Sequence, residues 1–211
     1  MINYSVEIEN LVKFFGRRLI FNGINSSFHS GKVYGISGPN GSGKSTFVKI
    51  LSCLISPTKG KVIHKVENKI IAEEKLHNHI GFVSPYLFLY DEFTAEENLI
   101  HLSKIRGNKF DREFAKYLLE EFKLYERRND QIKGYSSGMK QRLKFVFALL
   151  HKPSLLIFDE PTSNLDNNGK EKVYEFIQKM KSDKLIIIAS NEDADLSHCE
   201  DILELEKYKQ Q

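Results

Sequence analysis

The hydrophobic pattern of this chain switches repeatedly between strand-like and helical spacing. "YSVEIENLV" alternates from Tyr4 and predicts a strand, and "LIFNGINSSFHSGKVYGIS" predicts two more, broken at Ser30-Gly31. "KVIHKV" and "HIGFVS" predict short strands. From Ser45 to Leu54 the apolar positions Phe47, Val48, Ile50, Leu51 and Leu54 recur at helical spacing. Thr94 to Phe122 predicts two helices interrupted at Gly107-Asn108, with Thr94 and Glu97 spaced as a capping box. Another helix is predicted from Gly138 to Leu150, then the strand "SLLIFDE" and a helix to Met180. "LIIIA", Leu185 to Ala189, runs without alternation, as a parallel strand covered on both faces does. The outline is α/β with a helical insertion, and no repeat or Pro/Gly-rich hinge divides it.

Bulk numbers narrow the classes. At 211 residues the chain is long enough for a core of its own. A net charge of +3 is too small to argue for nucleic acid, so no nucleic-acid partner is expected. Cys53 and Cys199 have no CxxC spacing, which points to a reducing compartment rather than a disulfide framework. No run approaches the ~18 apolar residues of a membrane span. "MINYSVEIENLV" carries acids where a signal peptide carries a basic start, so a cytoplasmic location is expected. His77 and His79 read as ordinary surface histidines.

The first chemistry-bearing motif is "GPNGSGKST": Gly38, Pro39, Asn40, Gly41, Ser42, Gly43, Lys44, Ser45 and Thr46. It satisfies G-x-x-x-x-G-K-[ST] between a predicted strand and a predicted helix, the context a phosphate loop requires. The glycines let backbone N–H groups converge on phosphate oxygens, and the helix N-terminus adds positive charge. Lys44 would meet the β- and γ-phosphates of ATP, and Ser45 would contribute its hydroxyl to Mg²⁺. The second motif is the acidic end of "SLLIFDEP". Asp159 at such a tip is placed to hold Mg²⁺, and Glu160, one residue further, to polarise an attacking water as general base.

"YSSGMKQR", Tyr135 to Arg142, opens the helix that follows it, and its Ser-x-Gly makes a second anion-binding helix terminus. One γ-phosphate rarely needs two such termini from one chain. A second copy of the chain can supply the other.

With these motifs in order, the sequence resembles the ATP-binding cassette (ABC) ATPases over nearly its whole length. "YSSGMKQR" is similar to the family signature, "SNLD" (Ser163 to Asp166) to its D-loop, and "FFG" to the site of its adenine-stacking aromatic, assigned to Phe15. The resemblance implies a P-loop NTPase core with an N-terminal antiparallel β part and a helical signature subdomain. It implies one domain, with 1–83 and 151–211 as the nucleotide-binding core and about 84–150 as the glutamine-loop region and subdomain. It further implies a head-to-tail dimer of identical or different cassettes. ATP would lie between Gly38–Thr46 of one subunit and Ser136, Ser137 and Gly138 of the other, and Asp166 of the D-loop would also contribute to nucleotide binding. Integral membrane permease subunits would be separate polypeptides, with this chain peripheral on the cytoplasmic face. The compact length resembles small haem-exporter ATPases.

Three departures from the family pattern stand out. Ser137 and Met139 replace a glycine and a glutamine of the signature. Pro85 stands where the family has a glutamine that reaches Mg²⁺ and water, and Ser84 and Tyr86 offer the adjacent polar groups. Ser190-Asn191 replaces Thr-His at the end of the strand, so Asn191 would meet the γ-phosphate as a neutral donor without a titratable imidazole. His198 cannot take that place without a register change. Pro85 and Asn191 leave one alternative to a hydrolysing transporter subunit, an ATP-gated subunit with weak turnover; a soluble ABC protein outside transport is a second alternative, independent of these changes.

Overall fold

The computed structural model describes residues 3–209, arranged as two sheets with helices between and beside them. The strands are β1 (Tyr4–Phe15), β2 (Arg18–His29), β3 (Val33–Ser37), β4 (Lys59–Val66), β5 (Lys69–Ile70), β6 (Ile80–Val83), β7 (Leu155–Asp159), β8 (Leu185–Ala189) and β9 (Asp201–Glu204). The helices are α1 (Lys44–Leu51), α2 (Ala95–Ile105), α3 (Arg112–Glu121), α4 (Ser137–Leu149), α5 (Asn167–Met180) and the single turn α6 (Asp193–Leu196).

The antiparallel sheet has the order β2-β1-β4-β5, and the all-parallel sheet β6-β7-β8-β3-β9. Every residue of β7 and β8 is buried, which explains their unbroken apolar sequences. α1 lies between the two sheets, where Phe47 meets Phe21 edge-on at 5.8 Å between ring centroids. A second apolar core joins the other face of the parallel sheet to α2, α3, α4 and α5 through Phe122, Phe145, Phe158 and Phe176. Each such ring or aliphatic side chain contributes about 1.5–3 kcal/mol by leaving water. Among the described residues, no helix is long and apolar enough to cross a membrane.

Most predicted elements are found, and the differences have local causes. The apolar spacing predicted a helix to Leu54, but α1 ends at Leu51. Cys53 turns left-handed at φ 57°, the Leu54 N–H closes back on the Lys49 carbonyl, and Leu54 is left 60% exposed. The edge strand β9 has no counterpart in the sequence reading. Its "DILE" is polar at both ends, and pairing with β3 makes it a strand. The break at Gly107-Asn108 separates α2 from α3, and the Thr94–Glu97 capping box is present in full.

Candidate functional site

The phosphate loop leaves the end of β3 and delivers the chain into α1. Its tightness is steric as well as conformational. At Gly43, φ is 106° and a Cβ would lie 2.5 Å from Ile20 Cγ2; at Gly38, φ is 149° and a Cβ would lie 2.6 Å from Ser42 Oγ. Lys44 is folded back over this loop, its Nζ donating to the Gly38 carbonyl at 2.8 Å and lying 3.5 Å from Glu160 Oε1.

β7 brings its acidic tip alongside. Ser45 Oγ donates to Asp159 Oδ1 at 3.0 Å, while Asp159 Oδ2 is buried with no hydrogen-bond partner among the described residues. Burial raises the Asp159 pKa above the ordinary carboxylate range, opposed in part by the Ser45 hydrogen bond, Lys49 and Lys44. An orphaned buried carboxylate oxygen beside a serine hydroxyl is an all-oxygen donor set, which fits a hard divalent cation. Glu160 follows in the left-handed region at φ 50°, its N–H donating to the Ala189 carbonyl at 2.8 Å. Its pKa is also raised, first by burial and also by Asp159, with Lys44 opposing.

One cavity is lined by Phe15, Arg18, Ile20, Asn40, Gly41, Ser42, Gly43, Lys44, Ser45, Thr46, Pro85, Tyr86 and Glu160. It unites the predicted ring, loop and base. Sequence reasoning missed Arg18, which pairs with Phe15 across the β1–β2 hairpin and so reaches the same cavity. Of the two polar neighbours of Pro85, Ser84 is buried and its Oγ accepts from the Tyr86 N–H at 3.3 Å. Tyr86 instead lines the cavity, with Lys49 Nζ 5.0 Å from its ring centroid.

A separate cavity collects Ser136, Ser137, Gly138 and Asp166, with Arg142 and Lys172 among its walls. Ser136 caps α4, its Oγ accepting from the Met139 N–H at 3.2 Å, and Asp166 caps α5 by accepting from Gly169 at 2.8 Å. Arg142 and Lys172 were not singled out from the sequence; both face this cavity from the helices that start there.

Asn191 is exposed just beyond β8 and is not among the residues lining the loop cavity. Ser190, its neighbour, is wholly buried and donates to Asp195 Oδ2 at 2.6 Å. His198 stacks on Tyr174 of α5, with 4.0 Å between ring centroids.

The family described as ABC transporter matches residues 21–163. The linearmycin resistance ATP-binding protein of Bacillus subtilis is 35% identical over 87% of this chain and 60% of its own length. The bacitracin transport ATP-binding protein of Enterococcus faecalis is 33% identical over 96% of this chain and 66% of its own. This chain thus spans less than two thirds of either relative. A lantibiotic transport ATP-binding protein of Streptococcus pyogenes is 35% identical, covering 94% of this chain and 85% of that one. None of these three is named for haem export, so the haem-exporter likeness expected from compact length is not supported. Among solved structures, an ATP-binding cassette dimer in a post-hydrolysis state with ADP and Pi aligns with a TM-score of 0.81 and 27% identity. It covers 94% of this chain and 93% of that one. The chain belongs to the ABC transporter family, as an ATP-binding protein.

Proposed function

We propose that this chain binds and hydrolyses ATP to power an ABC transporter whose membrane-spanning subunits are separate polypeptides. The observation that carries the reading is the single cavity in which the phosphate loop, Lys44 and Glu160 meet, with Ser45 of its wall bonded to the buried Asp159. Residues 1–83 and 151–211 act as the nucleotide-binding core, with about 84–150 as the glutamine-loop region and signature subdomain.

Loop amides and Lys44 hold the β- and γ-phosphates, and Phe15 stacks on the adenine. Ser45 and Asp159 would hold Mg²⁺, whose charge would offset that of the phosphates. Glu160, raised in pKa by its burial, accepts a proton from the water that attacks the γ-phosphorus as ADP leaves.

The separate cavity at Ser136–Gly138 supports pairing of two copies head to tail, the α4 N-terminus of one closing on the γ-phosphate held by the other. A groove lined by Leu54, Ile80, Phe82, Leu87, Leu102 and Phe147, with Arg106 at its side, supports docking of a membrane partner from the cytoplasm. The relatives' names make antibiotics the cargo class to assay first. Steady-state ATPase of the purified chain against Glu160→Gln tests the reading. Turnover that falls about 100-fold or more with ATP binding retained supports it; turnover untouched by Glu160→Gln removes the assigned base.

A further inference from the structure

Behind Glu160, three hydroxyl side chains from three separate segments converge on one buried acid. Asp195 of α6 is 1% exposed. Its Oδ1 accepts from Thr162 Oγ1 at 2.8 Å and from the Tyr174 hydroxyl of α5 at 2.7 Å, and its Oδ2 accepts from Ser190 Oγ at 2.6 Å. Thr162 and Ser190 are themselves buried. Thr162 lies two residues after Glu160, and Ser190 sits at the tip of the neighbouring strand.

The Ser190 hydroxyl has one proton and two carboxylates near it. Asp195 Oδ2 is at 2.6 Å and Glu160 Oε2 at 3.4 Å. The shorter contact is a strong charge-assisted hydrogen bond and the longer is at the limit for any, so the proton goes to Asp195. A lone pair of the same oxygen accepts from the Glu192 N–H at 3.1 Å, which further fixes its direction. Glu160, meanwhile, holds a left-handed backbone that a non-glycine residue keeps only when its surroundings over-determine it. The Thr162–Asp195 bond and the Gln141 Nε2 bond to the Pro161 carbonyl at 2.9 Å pin the two residues that follow.

We propose that Asp195 is a positioning residue for Glu160: it draws the Ser190 proton and the Thr162 hydroxyl to itself, so that Glu160 Oε2 stays open to the attacking water. The proposal rests on the reading of Glu160 as the base. Its chemistry makes a specific prediction for Asp195→Asn, which keeps size and shape. Thr162 and Tyr174 both donate and so hold the amide oxygen on their side. The NH₂ then faces Ser190 and donates to it, and Ser190 must turn its own proton onto Glu160 Oε2.

The test is steady-state ATP hydrolysis by the wild type, Asp195→Asn, Ser190→Ala, the double variant and Glu160→Gln. The dissociation constant of a fluorescent ATP analogue and the thermal midpoint are measured for each. Asp195→Asn is expected to lower kcat about 10-fold with KM and analogue affinity within about twofold. Adding Ser190→Ala is expected to restore most of that loss, since the misdirected hydroxyl is gone. A purely structural Asp195 predicts the opposite, losses that multiply, and that result overturns the proposal. Where Asp195→Asn does not fold, Ser190→Ala alone decides: a loss under about threefold is expected, and a larger one shows that Glu160 depends on that hydroxyl. Glu160-dependent turnover with Asp195→Asn equal to the wild type withdraws this proposal alone. A wild type without Glu160-dependent turnover withdraws the reading beneath it as well.

Discussion

Ser45 Oγ bonds one oxygen of Asp159 at 3.0 Å, and the other oxygen of that carboxylate is buried without a hydrogen-bond partner among the described residues. A charge held this way costs free energy until a cation meets it. Asp159→Asn is therefore expected to leave the ligand-free chain at least as stable as the wild type at pH 7.5. The same variant should lose most of the rise in thermal midpoint that Mg²⁺ and ATP together give the wild type, which amounts to about 2.7 kcal/mol at 100 times Kd. A variant that is less stable when ligand-free yet fully stabilised by Mg²⁺-ATP would contradict the assignment.

Phe15 is 51% exposed, and Lys13 Nζ lies 4.7 Å from its ring centroid while donating to the Ser56 carbonyl at 2.7 Å. The tethered ammonium holds the ring at the cavity rim. Phe15→Ala is expected to weaken ATP binding about 5- to 150-fold, the value of one stacked base, and Lys13→Ala about threefold through the looser ring. Phe15→Trp should retain affinity. Titration with a fluorescent ATP analogue separates these outcomes, and an unchanged Phe15→Ala would move the nucleobase elsewhere.

How much of this was legible in the sequence differs by residue. The β8 strand was readable because both its faces are covered, so its five residues are all apolar. The phosphate loop and the Thr94–Glu97 cap were readable because each is local, its partners lying within a few residues. Asp195 was not. In "SNEDADL" it reads as one more solvated acid, and only Thr162, Tyr174 and Ser190, each distant or differently oriented in the chain, make it a buried acceptor. Arg18 was missed because its place depends on cross-strand register with Phe15 rather than on any motif. Asn191 was assigned to the γ-phosphate by resemblance; the single chain leaves it exposed outside the loop cavity.

A buried histidine, His64, and a half-buried one, His151, make the fold acid-sensitive. Burial lowers the pKa of His64, whose Nδ1 lies 2.9 Å from the Tyr4 hydroxyl, to about 4, and burial likewise lowers His151 to about 4. Between about pH 6.5 and 4 the unfolded chain binds protons that the folded chain refuses, so stability is complete above pH 6.5 and falls as pH drops through that window. The expected loss at pH 5 is on the order of 2 kcal/mol for His64 and smaller for the half-buried His151. His64→Gln should lose measurably less stability than the wild type between pH 7.5 and 5 in urea unfolding. An equal loss in both would place the acid sensitivity elsewhere.

Gly81 in β6 allows α4 to end against the sheet. A Cβ there would lie 2.4 Å from the Ala148 carbonyl oxygen and 2.8 Å from Pro153 Cγ. The first contact is with backbone, which cannot rotate away. Gly81→Ala is expected to cost about 1–3 kcal/mol in the urea midpoint, without a comparable change in nucleotide affinity of the folded fraction.

The phosphate loop of one copy and the Ser136–Gly138 terminus of another are expected to close on the same ATP. Mixing two inactive variants, Lys44→Ala and Gly138→Asp, and measuring ATP hydrolysis tests this pairing. In a head-to-tail pair of these two chains, one composite site carries both lesions and the other carries neither. Random pairing puts half the chains in mixed dimers with one intact site of two, so about a quarter of wild-type turnover is expected from the mixture. A mixture no more active than either variant alone, beside an active wild type, would rule out a site shared between two copies.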